Sequence, residues 1–291
     1  MSRRLRLLVN PAAAGGRSLR SLARARAALE AAGADFRVEQ TTGLDHAREL
    51  AAEAAERGEA IVAVGGDGLA GALAGVLCDG PVPLAIVPSG RGNDFARVLG
   101  IPRDPAAAAR VALDGAERLV DVAYADGKPF VGIASCGFDS DANRIANEMR
   151  LIRGDLVYLV AALRALWSWR PATFRVTVDG ETTEVTGYSA AVGNSKAYGG
   201  GMYLIPHAEL DDGRLDVFLS GRVPKLRFLL DVPKVFRGTH VRNPAITFLS
   251  GSEVRVEADR PFTVYADGDP IGELPITITV RRRCLRVIVP A

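Results

Sequence analysis

Between residues 5 and 114 the chain alternates two patterns, and each short apolar run stops at a polar, mostly glycine-containing loop. The apolar runs are LRLLV (5–9), DFRVE (35–39), IVAV (61–64) and PLAIV (83–87), and helical stretches lie at 18–32, 45–57, 69–78 and 105–114. Short apolar strands separated by helices of about a dozen residues form a parallel sheet covered on both faces. From about residue 123 the pattern changes. TFRVTV-DG-ETTEVTG (173–187) alternates around Asp179-Gly180, a two-residue hairpin signal. AITFL, EVRVEA, FTVYA, PITITV and LRVIV follow at the intervals of an antiparallel sandwich or barrel. The expected organisation is an α/β domain over 1–122 and a mostly antiparallel β domain over 123–291, without repeats or a low-complexity linker.

Composition narrows the function classes. At 291 residues and 48% hydrophobic the chain can bury a sizeable core. A net charge of only +2 supplies no global field for nucleic acid, so no nucleic-acid partner is expected. Lysine stands only at 128, 196, 225 and 234, so nearly all of the 36 basic residues are arginine and a lone arginine says little. Cys78, Cys136 and Cys284 are odd in number, scattered and free of any CxxC pair, which predicts a reducing cytoplasm and no structural zinc. The N-terminal MSRRLRLLVNP has too short an apolar stretch for a signal peptide. The longest apolar run, LVYLVAALRALW from 156, is interrupted by Arg164 and cannot span a bilayer. The expectation is a cytoplasmic protein that at most sits on the inner membrane surface.

The special residues fall on one edge of the first sheet. Asn10-Pro11 through Gly15-Gly16 follow the first strand, Thr41-Thr42-Gly43 the second, Gly65-Gly66-Asp67-Gly68 the third, and Pro88 to Asp94 (PSGRGND) the fourth. Open α/β sheets bind ligands at the carboxyl ends of their strands, and loops that open onto helix N-termini present free N–H groups suited to phosphate. Three glycines around one acid in GGDG predict that something large and polar approaches the backbone there. Neither GxxxxGK[ST] nor GxGxxG is present.

VAVGGDGLAGALAGVL, VPSGRGNDFARVLGIP, NSKAYGGGMYLIPHAELDDGRLDV and YADGDP, in that order and spacing, resemble the diacylglycerol kinase catalytic-domain family, which includes soluble bacterial lipid kinases and sphingosine kinases. The similarity covers nearly the whole chain. GGDG is shared with NAD kinases, whereas NDFAR with LDDG favours the lipid branch. The resemblance implies a Rossmann-like first domain, a β-sandwich second domain, ATP in the cleft between them, Mg²⁺, and phosphorylation of a lipid hydroxyl. Diacylglycerol is the first choice of acceptor; phosphatidylglycerol, sphingoid bases and prenols follow. Oligomeric state leaves no trace in the sequence, and a homodimer stays open.

The same resemblance assigns roles. Gly65, Gly66 and Gly68 bring backbone N–H groups to phosphates while Asp67 engages Mg²⁺ or the nucleophile. Asn10, Pro11 and Gly15 bound the first nucleotide loop, and Thr41 offers it a hydroxyl. Gly90, Arg91, Asn93 and Asp94 form the fourth loop, where Asn93 and Asp94 serve either as helix caps or as ligands. Glu209, Asp212 and the carbonyl of Arg214 hold the ion by family likeness; read alone, those acids are an exposed turn. Asp267-Gly268-Asp269 resembles the family's DGE motif, with Asp in the third position, leaving open which acid is the base. Leu69 and Arg91 stand where the family carries threonines. This keeps alive a lipid- or nucleotide-binding regulatory protein without turnover, and a kinase for a soluble alcohol or nucleotide.

A lipid substrate needs a docking surface. Residues 222–242 hold six Arg or Lys against only Asp231, interleaved with Leu226, Phe228, Leu229, Leu230 and Phe236, a mixture suited to anionic headgroups. Trp167 and Trp169, flanked by Arg164 and Arg170, could act likewise. The bland reading is a pair of packed helices. Pro224 fits a helix start and Pro233 is expected to break it.

Overall fold

The computed structural model describes residues 3–11, 13–138, 140–141 and 166–291. The part of the long apolar run at 156–165, including Arg164, lies outside these described residues.

Four strands form the first sheet: β1 (Leu5–Val9), β2 (Phe36–Gln40), β3 (Ala60–Gly65) and β4 (Leu84–Pro88). They are parallel and ordered β2-β1-β3-β4. β1, β3 and β4 are buried at every residue, as strands covered on both faces must be. The helices are α1 (Arg17–Ala31), α2 (Leu44–Glu56), α3 (Asp67–Leu77), α4 (Asp94–Val98) and α5 (Pro105–Asp114). Because the chain leaves β1 toward β2 and then crosses back to β3, the switch point lies between β1 and β3. The loops after those two strands therefore flank the crevice.

The second half contains β5 (Ala116–Ala125), β6 (Lys128–Phe130), β7 (Ile133–Gly137), β8 (Ala172–Val178), β9 (Glu181–Gly193) and β10 (Leu215–Gly221). After α6 (Lys225–Val235) come β11 (Ile246–Gly251), β12 (Glu253–Ala258), β13 (Thr263–Ala266), β14 (Asp269–Glu273) and β15 (Ile276–Val289). Neighbours within this half pair antiparallel. The β8–β9 hairpin turns on Asp179 and Gly180, both at positive φ (46° and 93°), as a primed two-residue turn requires.

β15 ties the halves together. Its start pairs with β12, and its end runs parallel to β4, with Val287 opposite Leu84. Cys284, Leu285, Val287 and Ile288 thereby join the first core, although they come from the end of the chain. The expected boundary at 122/123 falls inside β5, where Val120 and Val122 belong to the first core and Ala123 and Ala125 to the second.

Three expectations are corrected. Trp169, expected to act at a surface with Trp167, is buried in the second core. Cys78 and Cys284 form a disulfide across 206 residues, leaving Cys136 as a buried free thiol. The pairing is created by β15 returning beside the end of α3, where the Asp79 N–H also donates to the Cys284 carbonyl at 2.7 Å. Sequence spacing holds no sign of that return. Pro233 does not end α6, which continues to Val235. It sits in the last turn, where one lost backbone bond costs the helix little of its remaining length. Among the described residues no helix is long and apolar enough to cross a membrane.

Candidate active site

The site is built around one side of α3. Gly68, Gly71 and Gly75 recur at helical spacing, so they form a stripe without side chains. A Cβ on Gly68 would lie 2.6 Å from Asp269 Oδ2, and one on Gly71 would lie 2.7 Å from Asp267 Oδ2. A Cβ on Gly75 would overlap Pro129 on β6. The stripe lets the second half of the molecule close onto the helix, and it carries the Asp267-Gly268-Asp269 loop to the helix that Asp67 begins.

The other glycines answer to the fourth loop. A Cβ on Gly90 would stand 2.6 Å from the Gly66 Cα, so GGDG and PSGRG touch glycine to glycine. The space over Gly65 is filled by the Leu69 side chain. What approaches this backbone is therefore largely the protein itself: Gly90, Leu69 and the Asp269 carboxylate. The glycines are structural here, whatever else they admit.

Asp67 accepts the backbone N–H groups of Phe95 (2.9 Å) and Asp94 (3.1 Å). It caps α4 from another loop. Neither Asn93 nor Asp94 plays that role: Asn93, at φ 53°, makes no side-chain cap bond, and its amide bonds both the N–H and the C=O of Gly90. The Asp94 carboxylate accepts the Gly200 N–H at 2.7 Å, drawing the Gly199–Gly201 loop against the NDFAR segment. That loop is a close backbone wall, with positive φ at all three glycines.

Asp267, at φ 54°, accepts the N–H groups of Val131 and Gly132, each at 2.9 Å. Its carboxylate is enclosed between Gly71 and Gly132, although the residue as a whole keeps some exposure. Burial, then the Asp67 charge, and lastly Asp269 push its pKa up to about 8, against the two N–H bonds. Burial also raises Asp67, helped by the Asp94 charge and opposed by the Phe95 and Asp94 N–H groups. Asp269 is raised by burial. Asp267 thus feels the charges of both Asp67 and Asp269, and no arginine or lysine pairs with these three acids in an ion pair among the described residues.

A cavity of about 280 Å³ opens beside Asp67, lined by Pro88, Arg91, Gly92, Asn93, Arg97, Arg103 and Gly200. Gly92 joins the two, since a Cβ there would lie 3.2 Å from Asp67 Oδ2. The exposed Arg91 and Arg103, with Arg97 held beside them by its ion pair to Asp94 at 3.6 Å, fit an anion with several oxygens. Thr41 lies past the end of β2, and its buried hydroxyl has no hydrogen-bond partner among the described residues. Asn10 and Pro11 follow β1, and Gly15, at φ 63°, lies in the turn Ala13–Gly16 that leads into α1.

The LDDG loop is organised differently. Asp212 accepts the Arg214 N–H at 2.9 Å, Arg118 pairs with Asp211 at 2.9 Å, and the Arg214 guanidinium reaches Ser250. Asp121, fully buried, holds the loop by accepting the N–H groups of Gly213 (2.7 Å) and Arg283 (2.6 Å). Glu209 is exposed and Asp212 half-buried; among the described residues neither joins a group of three His, Cys, Asp or Glu side chains, which the expected set of two carboxylates and one backbone carbonyl does not require. Among the described residues the sole such group is Cys78, Asp79 and Cys284, whose sulfurs are joined.

Sequence reasoning missed Arg97, Arg103 and Asp121. Arg97 sits inside the NDFAR motif, a signal that was available. Arg103 and Asp121 carry none, since one is an arginine among many and the other a single acid within a strand.

Comparison with known proteins gives the family. The family model of the diacylglycerol kinase catalytic domain matches residues 4–125, and that of the YegS C-terminal NAD kinase beta sandwich-like domain matches 132–289. The chain is 35% identical to a diacylglycerol kinase of Mycobacterium tuberculosis, over 97% of this chain and 94% of that protein. It is 33% identical to a YegS-like lipid kinase homologue of Pseudomonas aeruginosa, over 98% and 94%. A solved diacylglycerol kinase-like structure from Bacillus anthracis superposes with a TM-score of 0.81 at 25% identity, covering 99% of this chain and 95% of that one. With family models on both halves and relatives aligned along its length, the chain belongs to the diacylglycerol kinase catalytic-domain family and is a lipid kinase, a phosphotransferase with an alcohol acceptor.

Proposed function

We propose that the protein transfers the γ-phosphate of ATP to the hydroxyl of diacylglycerol. The observation that supports this most directly is the meeting of Asp67 with Asp267 and Asp269 on the glycine side of α3, next to the arginine-lined cavity. Phosphoryl transfer asks for positioning, charge neutralisation and a carboxylate that takes the hydroxyl proton.

Each need has a residue. Arg91, Arg97 and Arg103 receive the triphosphate. The unpartnered Thr41 hydroxyl supplies a hydrogen bond to the nucleotide. Mg²⁺ uses one or two carboxylates together with substrate phosphates and keeps several waters, so Asp67, which adjoins the cavity at Gly92, would hold it without a closed cage, and the ion would neutralise phosphate charge there. Asp267 and Asp269 are the two candidates for general base: burial raises both, Asp267 to about 8 with both its oxygens held by backbone N–H groups, and Asp269 is the more exposed. The acceptor oxygen attacks the γ-phosphorus as its proton passes to one of these two carboxylates, and the bond to the β–γ bridging oxygen breaks, leaving ADP.

Leu69 and Arg91, at the family's threonine positions, are compatible with turnover. Leu69 is packed over Gly65 in the first core, and Arg91 faces the cavity. The test is labelled ATP and Mg²⁺ with diacylglycerol in mixed micelles, beside phosphatidylglycerol, a sphingoid base, a prenol and a panel of soluble alcohols. Labelled phosphatidate is the expected product. Label appearing only in another acceptor, or in none, would refute the assignment.

A further inference from the structure

α6 is an 11-residue helix with no buried residue. Its inner stripe is Phe228, Asp231, Val232 and Val235, each half-buried, with Phe228 stacked on Tyr188 at 4.1 Å. A helix on a globular surface turns polar residues outward from such a stripe. This one does not. Leu226, Leu229 and Leu230 stand on the outside, Leu226 at 69% and Leu230 at 64% exposure, and Phe236 follows at 49%. Trp167, 87% exposed, belongs to the same patch, because Lys225 Nζ donates to its carbonyl at 2.6 Å.

Charge surrounds this apolar face. Arg222, Lys225, Arg227, Lys234, Arg237 and Arg242 are all exposed. The single acid of the segment, Asp231, is turned inward and answered by Lys234 (2.6 Å) and Asn243 (2.8 Å). A second copy of the chain meeting this face across a two-fold axis would set the same cations against themselves. An anionic surface with an apolar interior complements both properties.

We propose that α6 with Trp167 is a wedge that docks the kinase on anionic bilayers, apolar side chains inserted below the headgroups and the cations on the phosphates. The proposal deepens the lipid-kinase reading by naming how the enzyme reaches an acceptor held in a membrane.

The test is sedimentation of the full chain with vesicles of phosphatidylglycerol and phosphatidylcholine, against phosphatidylcholine alone. The parent should bind the anionic vesicles and release them at about 0.5 M salt, where screening is nearly complete over a few ångströms. Leu226→Ser with Leu230→Ser should weaken binding about tenfold or more, and Arg227→Gln with Arg237→Gln should weaken it and flatten its salt dependence. These side chains are exposed, so circular dichroism melts should match the parent. Phosphorylation of a detergent-dispersed short-chain diacylglycerol, read in parallel, should be unchanged. Docking without any lipid phosphorylation would sink the kinase reading and leave the wedge standing. Three results would overturn the wedge: a parent that ignores anionic vesicles at low salt, variants that sediment like the parent, or a parent dimer that the same variants dissociate.

Discussion

Two acidic loops of this molecule look alike in sequence and behave differently in structure. In the pair formed by Asp67 and the Asp267–Asp269 loop, carboxylates accept backbone N–H groups, are partly or wholly enclosed, and have raised pKa values. In the Asp211–Asp212 loop the two half-buried charges are spent locally, on Arg118 and on the Arg214 N–H, and the one fully buried acid, Asp121, raised by its burial, accepts the Gly213 and Arg283 N–H groups from beneath. A carboxylate without a cationic partner in a poorly solvated place disfavours its own charge. It is ready for a proton or a metal ion. Asp211, by contrast, already has a guanidinium partner in Arg118 and mainly shapes the chain.

That contrast predicts unequal mutations. Asp67→Asn should lower kcat about 10²–10³-fold, the usual size for losing one preorganised electrostatic contact in a transition state. Asp212→Asn should change kcat less than about tenfold. Steady-state kinetics on both, with melts to confirm folding, decides the matter. Equal losses would erase the distinction between the loops.

Gly71→Ala tests the same contrast through packing. The new Cβ would press on Asp267 Oδ2 at 2.7 Å, and that carboxylate cannot swing away without giving up the Val131 and Gly132 N–H groups. Because small misplacements of a reacting group are costly, kcat should fall about 10–100-fold. In a bare helix the same change would be stabilising. Activity close to the parent's would show that Asp267 is not held by this helix.

The Asp267 proton gives a third measure. Its folded pKa of about 8 lies above the ordinary 3.8, so between those values the folded state binds more protons than the unfolded state. Stability therefore falls as pH rises through that window, by up to about 1.4 kcal/mol per pH unit for one proton. Urea melts at pH 5, 6 and 7 should show a shallower decline in Asp267→Asn than in the parent. The slope is the informative quantity, since asparagine also sets an NH₂ against one backbone N–H. Parallel slopes would remove Asp267 as the buried charge.

How much of this could be read beforehand follows from what is local. The strand–helix alternation, the four loops on one edge and the Asp179-Gly180 turn are set by neighbouring residues, and they were legible. So was the glycine stripe of α3, although the eye goes to GGDG rather than to Gly71 and Gly75. The Cys78–Cys284 bond, the return of β15 to β4 and the capping of α4 by Asp67 depend on residues far apart in sequence, and nothing nearby announces them. Pro233 inside α6 misled for the opposite reason: a strong local rule yields when the residue falls in a helix's last turn.

Arg91 carries the smallest expected effect and the most particular to this chain. A threonine hydroxyl gives a phosphate one neutral hydrogen bond, whereas a guanidinium gives a charged fork. Arg91 lines the cavity with Arg97 and Arg103, so its loss leaves two cations in place, and its exposure allows water to substitute in part. Arg91→Ala should therefore raise KM for ATP about five- to tenfold, near 1–1.4 kcal/mol, with kcat within about threefold. Restoring the family's threonine at Leu69 is a poor companion test. Leu69 fills the space over Gly65 at 8% exposure, and Leu69→Thr would remove buried apolar surface and bury a hydroxyl, costing about 1.5–3 kcal/mol of stability. The cleaner comparison is Arg91→Ala against Arg91→Thr and Arg103→Ala. If Arg91 grips the triphosphate, threonine recovers part of the lost ATP affinity, and Arg103→Ala adds its own loss at the same cavity. An Arg91→Ala enzyme with the parent's KM would leave phosphate binding to Arg97 and Arg103 and return the fourth loop to a structural role beside Asp67.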